Sequence, residues 1–466
     1  MCRTRVSPVI IILIFILFYG CSKKHGKTFT GTAGEVKLMT LDPGHFHAAL
    51  VQKVMYPQVN PVVHVYGSMG PDIQDHLRRI GNFNRRDEKP TQWNTVLYTE
   101  DDFFENMLQE QPGNVVILSG NNRRKTEYIK ACVNGGLHVL SDKPMCIDQA
   151  GFNLLKSAFE KARKNNVLLY DIMTERYEIT TILQKTLSRI TGVFGTLQQG
   201  TPENPAVVKE SVHHFFKYVS GNPIKRPAWY FDTDQQGEGL VDVTTHLVDL
   251  IQWQCFPGET IKYQSDIRIL KARHWPTLFS KDQFKKVTRL PEFPHYLRAN
   301  LQEGLLPVFC NGDMIYRIKD VHAKVSVIWN FQAEKGGGDT HFSIMRGTQS
   351  HLIIRQGKEQ QYRPELYVEL EQDKERKVVQ DALAKAMVSI QETYPGVDLE
   401  SQSEGWHIII PDKYRIGHEA HFGQVTEKYL GYLVEGKLPE WEVPNMIAKY
   451  YTTTIALEVA RQTNSE

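Results

Sequence analysis

Between residues 36 and 170, short apolar runs rich in Val, Ile and Leu alternate with helical segments, and this alternation constrains the fold more than any other feature. The runs cover 36–41, 62–66, 95–98, 115–118, 138–140 and 167–170. Helical patterns occupy 45–54, 101–110, 123–134 and 147–164 between them. A short, wholly apolar strand is one covered on both faces, and parallel neighbours need a long crossover between them, usually a helix. The pattern therefore predicts an α/β domain over 36–172 built on a doubly wound parallel sheet. The polar stretch 67–93, which holds RRIGNFNRRDEKP, reads as a helical excursion plus loop inserted after the second strand.

Beyond residue 171 the character changes. Residues 322–329 alternate apolar and polar, and further short runs follow at 341–345, 351–354, 366–370 and 407–410. Gly336-Gly337-Gly338-Asp339 and Gly347-Thr348 mark turns between them. Strands this close together predict a largely antiparallel, open-faced sheet in a C-terminal α+β domain over 173–466. Helices are expected at 374–392, 418–434 and 445–462. An open sheet face leaves room for a homo-oligomer formed through it. The length of 466 residues suits two or three domains. A formal net charge of +2 with no basic patch excludes nucleic acid as an expected partner.

The N-terminus reads as an export signal. Arg3 and Arg5 precede an apolar run over 9–19 that ends in Gly20-Cys21-Ser22. The run is short for a membrane span and has the shape of a signal peptide. A small residue before Cys resembles the lipobox of bacterial lipoproteins, with Phe18 where Leu is usual. Residues 1–21 are then a lipoprotein signal peptide and 22–35 a polar tether, so lipidated Cys21 holds an exported protein to a membrane. Cys132, Cys146, Cys255 and Cys310 are widely spaced, have no metal-ligand pattern, and read mostly as buried small apolar residues.

The stretch from Gly237 to Trp253 carries the strongest local chemistry. Asp242, His246 and Asp249 fall at i, i+4 and i+7, on one face of a helix that is apolar nearly all round. Such a helix is buried, so the stripe faces either the interior or a lined cleft. A His beside a carboxylate serves equally as a structural pair or as a general base. The first strand-to-helix turn, Leu41-Asp42-Pro43-Gly44-His45-Phe46-His47, has the middle glycine of a dinucleotide turn. Asp42 replaces the first glycine and His47 the third, and Tyr66-Gly67 stands where an acidic residue would meet the ribose.

Gly135-Gly136-Leu137-His138-Val139-Leu140-Ser141-Asp142-Lys143-Pro144 resembles the G-K-H-V-x-x-E-K-P signature of the Gfo/Idh/MocA oxidoreductases, with Asp142 in place of Glu. Gly237 to Trp253 is similar to that family's helix with D-x-x-x-H after a Gly-rich turn. Ser119-Gly120-Asn121 is similar to its T-P-N strand end, and Arg176-Tyr177 to its domain-junction element. The resemblance implies a Rossmann-like first domain and hydride transfer between the carbon of a sugar hydroxyl and NAD or NADP as cofactor. It implies Lys143, Asp242 and His246 as catalytic residues, and Arg176 beside them at the substrate. It implies Gly44, His45, Phe46, Ser119, Asn121, Asp142, Lys143 and Pro144 at the cofactor. A small-molecule carbohydrate is the expected partner.

No metal site is expected. His418-x-x-His421 supplies two imidazoles, and ligation needs three or four converging donors. His213-His214 and His45/His47 read by default as surface or hydroxyl contacts. Export implies a dinucleotide that is tightly held and recycled. Two alternatives share the site: glycoside cleavage with transient NAD use, and a carbohydrate-binding lipoprotein that has lost the cofactor.

Overall fold

In the computed structural model, which describes residues 29–219 and 222–463, the N-terminal alternation folds as a six-stranded parallel sheet. Its strands are β1 (Leu38–Leu41), β2 (Val62–Tyr66), β3 (Asn94–Tyr98), β4 (Val115–Leu118), β5 (His138–Asp142) and β6 (Leu169–Ile172). Their order is β3-β2-β1-β4-β5-β6. The chain therefore switches direction between β1 and β4, where ligands of such sheets bind beyond the carboxyl ends of the strands. β1, β4, β5 and β6 are buried at every position, as continuous apolar runs require.

Of two expectations in this domain, the helix and loop after the second strand hold and the first helix shortens. The excursion at 67–93 is the ordinary crossover helix Pro71–Arg85, started by Pro71 in its first turn after an extended Gly70. The helix expected over 45–54 is a single turn, His47–Leu50.

The second sheet has nine strands and is mostly antiparallel. The one parallel pairing joins Val207–Phe216 to Val321–Gln332. Long strands Ile267–Phe279 and Leu306–Ile318 complete that end of the sheet, and all three of the earlier strands escape a search for short apolar runs because charged and polar residues alternate through them. Helix Thr244–Cys255 packs against this sheet. The last two helices, His418–Glu435 and Glu442–Thr463, return to the first domain. Phe422, Val425, Tyr429, Leu430, Met446 and Tyr450 join its core, while Ala448, Ala456, Leu457 and Ala460 join the core of the second. Glu442–Thr463 thus fastens one domain to the other.

The signal peptide and Cys21 lie outside the described residues. The end of the tether is packed: Phe29 is buried against His138, and the Thr30 backbone donates to Glu35. No described helix is long and apolar enough to cross a membrane. The four cysteines among the described residues are free, and three of them are buried.

Candidate active site

β5 ends in the pair that the site is built around. Asp142 is its last residue, and Lys143 follows across a cis peptide bond to Pro144. Lys143 Nζ donates to Asp242 Oδ1 at 2.5 Å, with both side chains largely shielded from water. Burial alone would raise the Asp242 carboxyl, but Lys143 beside it brings it below its ordinary value.

Asp242 lies in a turn before the helix, not on the helix as the spacing suggests, because the helix begins at Thr244. Two glycines make that turn. Gly237 has φ +92°, a conformation that favours glycine, and Gly239 packs against the strand Leu306–Ile318, where a Cβ would stand 2.1 Å from the carbonyl oxygen of Cys310. Gly239→Ala is expected to displace the turn and cost about 1–3 kcal/mol, the usual range for overpacking. A fall in the urea midpoint together with lost activity checks it; an unchanged midpoint rejects it.

His246 sits in the first turn of the helix. Burial, then the nearby Lys143 charge, pushes its imidazole down to about 3, so the ring is neutral near pH 7. Its Nδ1 is buried with no hydrogen-bond partner in the protein. Glu175, from the junction turn Thr174–Tyr177, lies in the same field. Burial opposes its ionisation, but His418 and His246 hold it well below the usual carboxylate range.

Asp249 and Arg176 belong elsewhere. Arg176 Nε and Nη2 donate to the Asp249 carboxylate, both at 2.7 Å, and Nη1 donates to Glu442 Oε1 at 2.6 Å. Lys449 Nζ lies 2.8 Å from Asp249 Oδ1 and 2.7 Å from Asp171 Oδ2. Arg176, expected at the substrate, is instead the centre of a buried ion network between the domains. Trp253 stands under Lys185, whose Nζ is 3.5 Å from the ring centroid.

The first turn brings together residues that the sequence scatters. The backbone N–H groups of Gly44 and His45 donate to the carbonyl of Ser119 at 3.2 and 3.3 Å, drawing the ends of β1 and β4 together. Phe46 packs on His45 and His47 and lies under Arg79. Asp142 Oδ2 accepts from Ser119 Oγ at 2.8 Å and stands 2.9 Å from His47 Nδ1. His418 reaches in from the start of helix His418–Glu435, its Nε2 3.2 Å from His47 Nε2. Sequence reasoning left His47, Glu175 and His418 out of the site. The available signal was the histidine density of GHFH and HEAH.

Whether a dinucleotide fits depends on the same turn. Asp42 takes a left-handed φ of +49°, and Asp72 Oδ2 lies 3.1 Å from where a Gly44 side chain would start. Two carboxylates therefore flank the place of the phosphates, and a single helical turn supplies little of the dipole that phosphate binding uses. Trp229 Nε1 donates to Asp72 Oδ2 at 2.9 Å, and Asn121 Nδ2 and Asn122 Nδ2 donate to Gln235 Oε1 and the Gln236 carbonyl at 2.6 and 2.7 Å. The second domain thus seals the switch point. The cavity left between Asp42, Ser119, Asn121 and Tyr128 has a volume of about 0 Å3 open to a water-sized sphere, far below the roughly 300–1,000 Å3 of ordinary ligand pockets. At the end of β2, Tyr66 is wholly buried and stacks on Tyr98. The reacting end of the site fits a nicotinamide enzyme, but the phosphate end, as arranged, does not fit a pyrophosphate.

A parallel Rossmann-like sheet with a Lys–Asp–His site facing a mostly antiparallel sheet defines a two-domain oxidoreductase fold. The family model described as "Putative oxidoreductase C terminal domain" matches residues 183–461. The chain belongs to this branch of the Gfo/Idh/MocA oxidoreductase family. It is similar to a "putative oxidoreductase" from Parabacteroides merdae ATCC 43184, at 56% identity and TM-score 0.92, over 94% of this chain and 100% of that one. Levoglucosan dehydrogenase in complex with NADH shares the fold at 14% identity and TM-score 0.56, over 92% and 97% of the two chains. An oxidoreductase domain protein from Kribbella flavida does so at 16% and 0.59, again over 92% and 97%. Among curated proteins, none matches the sequence.

Proposed function

We propose that this chain is an oxidoreductase acting on a hydroxyl of a sugar or sugar derivative, with Lys143, Asp242 and His246 at the reacting carbon. The observation that carries this reading is Lys143 held on Asp242 at the carboxyl end of β5, with the His246 imidazole nearby and its Nδ1 buried without a hydrogen-bond partner. His246 takes the hydroxyl proton, Lys143 stabilises the oxygen as it gains charge, and Asp242 holds Lys143 in place. Export and a lipid anchor on Cys21 belong to the same proposal.

Levoglucosan dehydrogenase holds NADH on a related fold, so NAD or NADP is the hydride acceptor this reading expects. Its entry requires residues 228–237 to withdraw from Asn121 and Asn122. The sealed phosphate turn favours a second reading, a carbohydrate-binding lipoprotein that has lost the cofactor. Denaturing the purified chain and analysing the supernatant by absorbance and mass separates the two. Near-stoichiometric NAD(P), or NADH formed on adding sugars and NAD, supports the oxidoreductase. A chain that neither carries nor takes up a dinucleotide, yet binds sugars, leaves the second.

A further inference from the structure

The turn that disfavours a pyrophosphate has a different chemistry of its own. One donor atom from each of His45, His47 and Asp142 lies within 4.8 Å of the other two. His47 Nδ1 is 2.9 Å and His45 Nδ1 3.8 Å from the same Asp142 oxygen, Oδ2. An ion of the zinc type holds nitrogen and carboxylate oxygen at about 2.0–2.2 Å in tetrahedral geometry, so its donors stand roughly 3.4 Å apart. The two contacts to Asp142 bracket that spacing, and side-chain rotation of about an ångström or less brings all three donors onto one ion.

Hydrogen inventory points the same way. Asp142, His47, His418 and Glu175 form a chain with three contacts: Asp142 to His47 Nδ1, His47 Nε2 to His418 Nε2 at 3.2 Å, and His418 Nδ1 to Glu175 Oε1 at 3.5 Å. Each contact needs a proton or a cation between its two atoms, and an imidazole with one N–H supplies one. A cation between His47 and Asp142 supplies the third link. His47 Nε2–H then donates to His418 and His418 Nδ1–H to Glu175, the outer support that metal-bound histidines normally have. His45 Nδ1, buried without a hydrogen-bond partner, gains one. Of the positive groups nearby, Lys143 is neutralised by Asp242, and Lys125 Nζ donates to the Asp142 carbonyl at 3.2 Å, away from the carboxylate.

We propose that His45, His47 and Asp142 bind one divalent first-row transition ion, supported by His418 and Glu175, with coordination positions left open. Two imidazoles and one carboxylate are a donor set that suits such ions and leaves room for a further ligand. The inference goes beyond the oxidoreductase reading and does not need a dinucleotide.

The test uses the full, tag-free chain, stripped with chelator and titrated with Co2+ and Zn2+. Metal analysis after dialysis is expected to give one equivalent per chain, and Co2+ is expected to show d–d absorption bands. His45→Gln, which removes no hydrogen bond made by Nδ1, is expected to fold normally and weaken binding at least tenfold. His47→Gln is expected to abolish it, and His418→Gln to weaken it about 10–100-fold, the usual effect of removing such a support. Wild-type protein that binds neither ion at micromolar concentration overturns the site, as does binding unchanged in His45→Gln and His47→Gln together. Turnover is not the readout, so failure here leaves the Lys143–Asp242–His246 reading standing.

Discussion

His246→Ala is expected to lower kcat/KM on the sugar substrate by about 10²–10⁴-fold, the usual contribution of a general base. The fold should survive, because the ring accepts no hydrogen bond at Nδ1 and sits at the cleft end of a helix anchored by Leu247, Val248, Leu250 and Ile251. The pH profile separates this role from a structural one. With the imidazole pushed down to about 3, chiefly by burial, the base is neutral at every pH above that value. Activity should therefore not fall as pH drops from 7 through 6.5, where an ordinary histidine would titrate. A variant with wild-type rates, or a wild-type profile that falls on an acid limb near 6.5, removes His246 as the base.

Arg176→Met is expected to destabilise the protein by about 3–5 kcal/mol, the cost of breaking a buried ion pair from one side. The substitution leaves the carboxylates of Asp249 and Glu442 without the guanidinium that now donates hydrogen bonds of 2.6–2.7 Å to both. Lys449 cannot compensate, because it is already shared between Asp171 and Asp249. Since Glu442 and Lys449 belong to the helix that fastens the two domains, the loss should appear as earlier unfolding in urea and faster proteolysis of the C-terminal helix. An unchanged urea midpoint with a raised KM would return Arg176 to the substrate. The same network explains why Asp249 shares a helix face with His246 but not its task.

Much of the fold is legible in the chain because its signals are local. Short apolar runs separated by helical segments can be buried most simply as parallel strands with crossovers, and all six appear in the sheet. The alternation at 322–329 likewise marks a strand half-covered by helices. Strand Val207–Phe216 is harder to see, since Lys209, Glu210, His213 and His214 interrupt its pattern, and what makes it a strand is its two neighbours. Helix 45–54 fails for a comparable reason: its periodicity is correct, but the chain must turn toward Pro57 and β2.

The site divides along the same line. Lys143, Asp242 and His246 can be named from two motifs, because strand ends and glycine turns have short-range signatures. Their company cannot. His47 meets His418 across 371 positions, Asp142 meets His47 across 95, and Lys143 meets Asp242 across 99. By itself the sequence determined the two kinds of sheet, the succession of strands and helices along the first domain, and the residue types that can move a proton. Only the tertiary structure decided that Arg176 and Asp249 are structural, that residues 228–237 seal the phosphate turn, and that His45, His47 and Asp142 converge. Those outcomes depend on how the second domain and the last two helices dock onto the strand ends, and docking is set by shape and buried charge summed over distant segments, for which no local pattern exists.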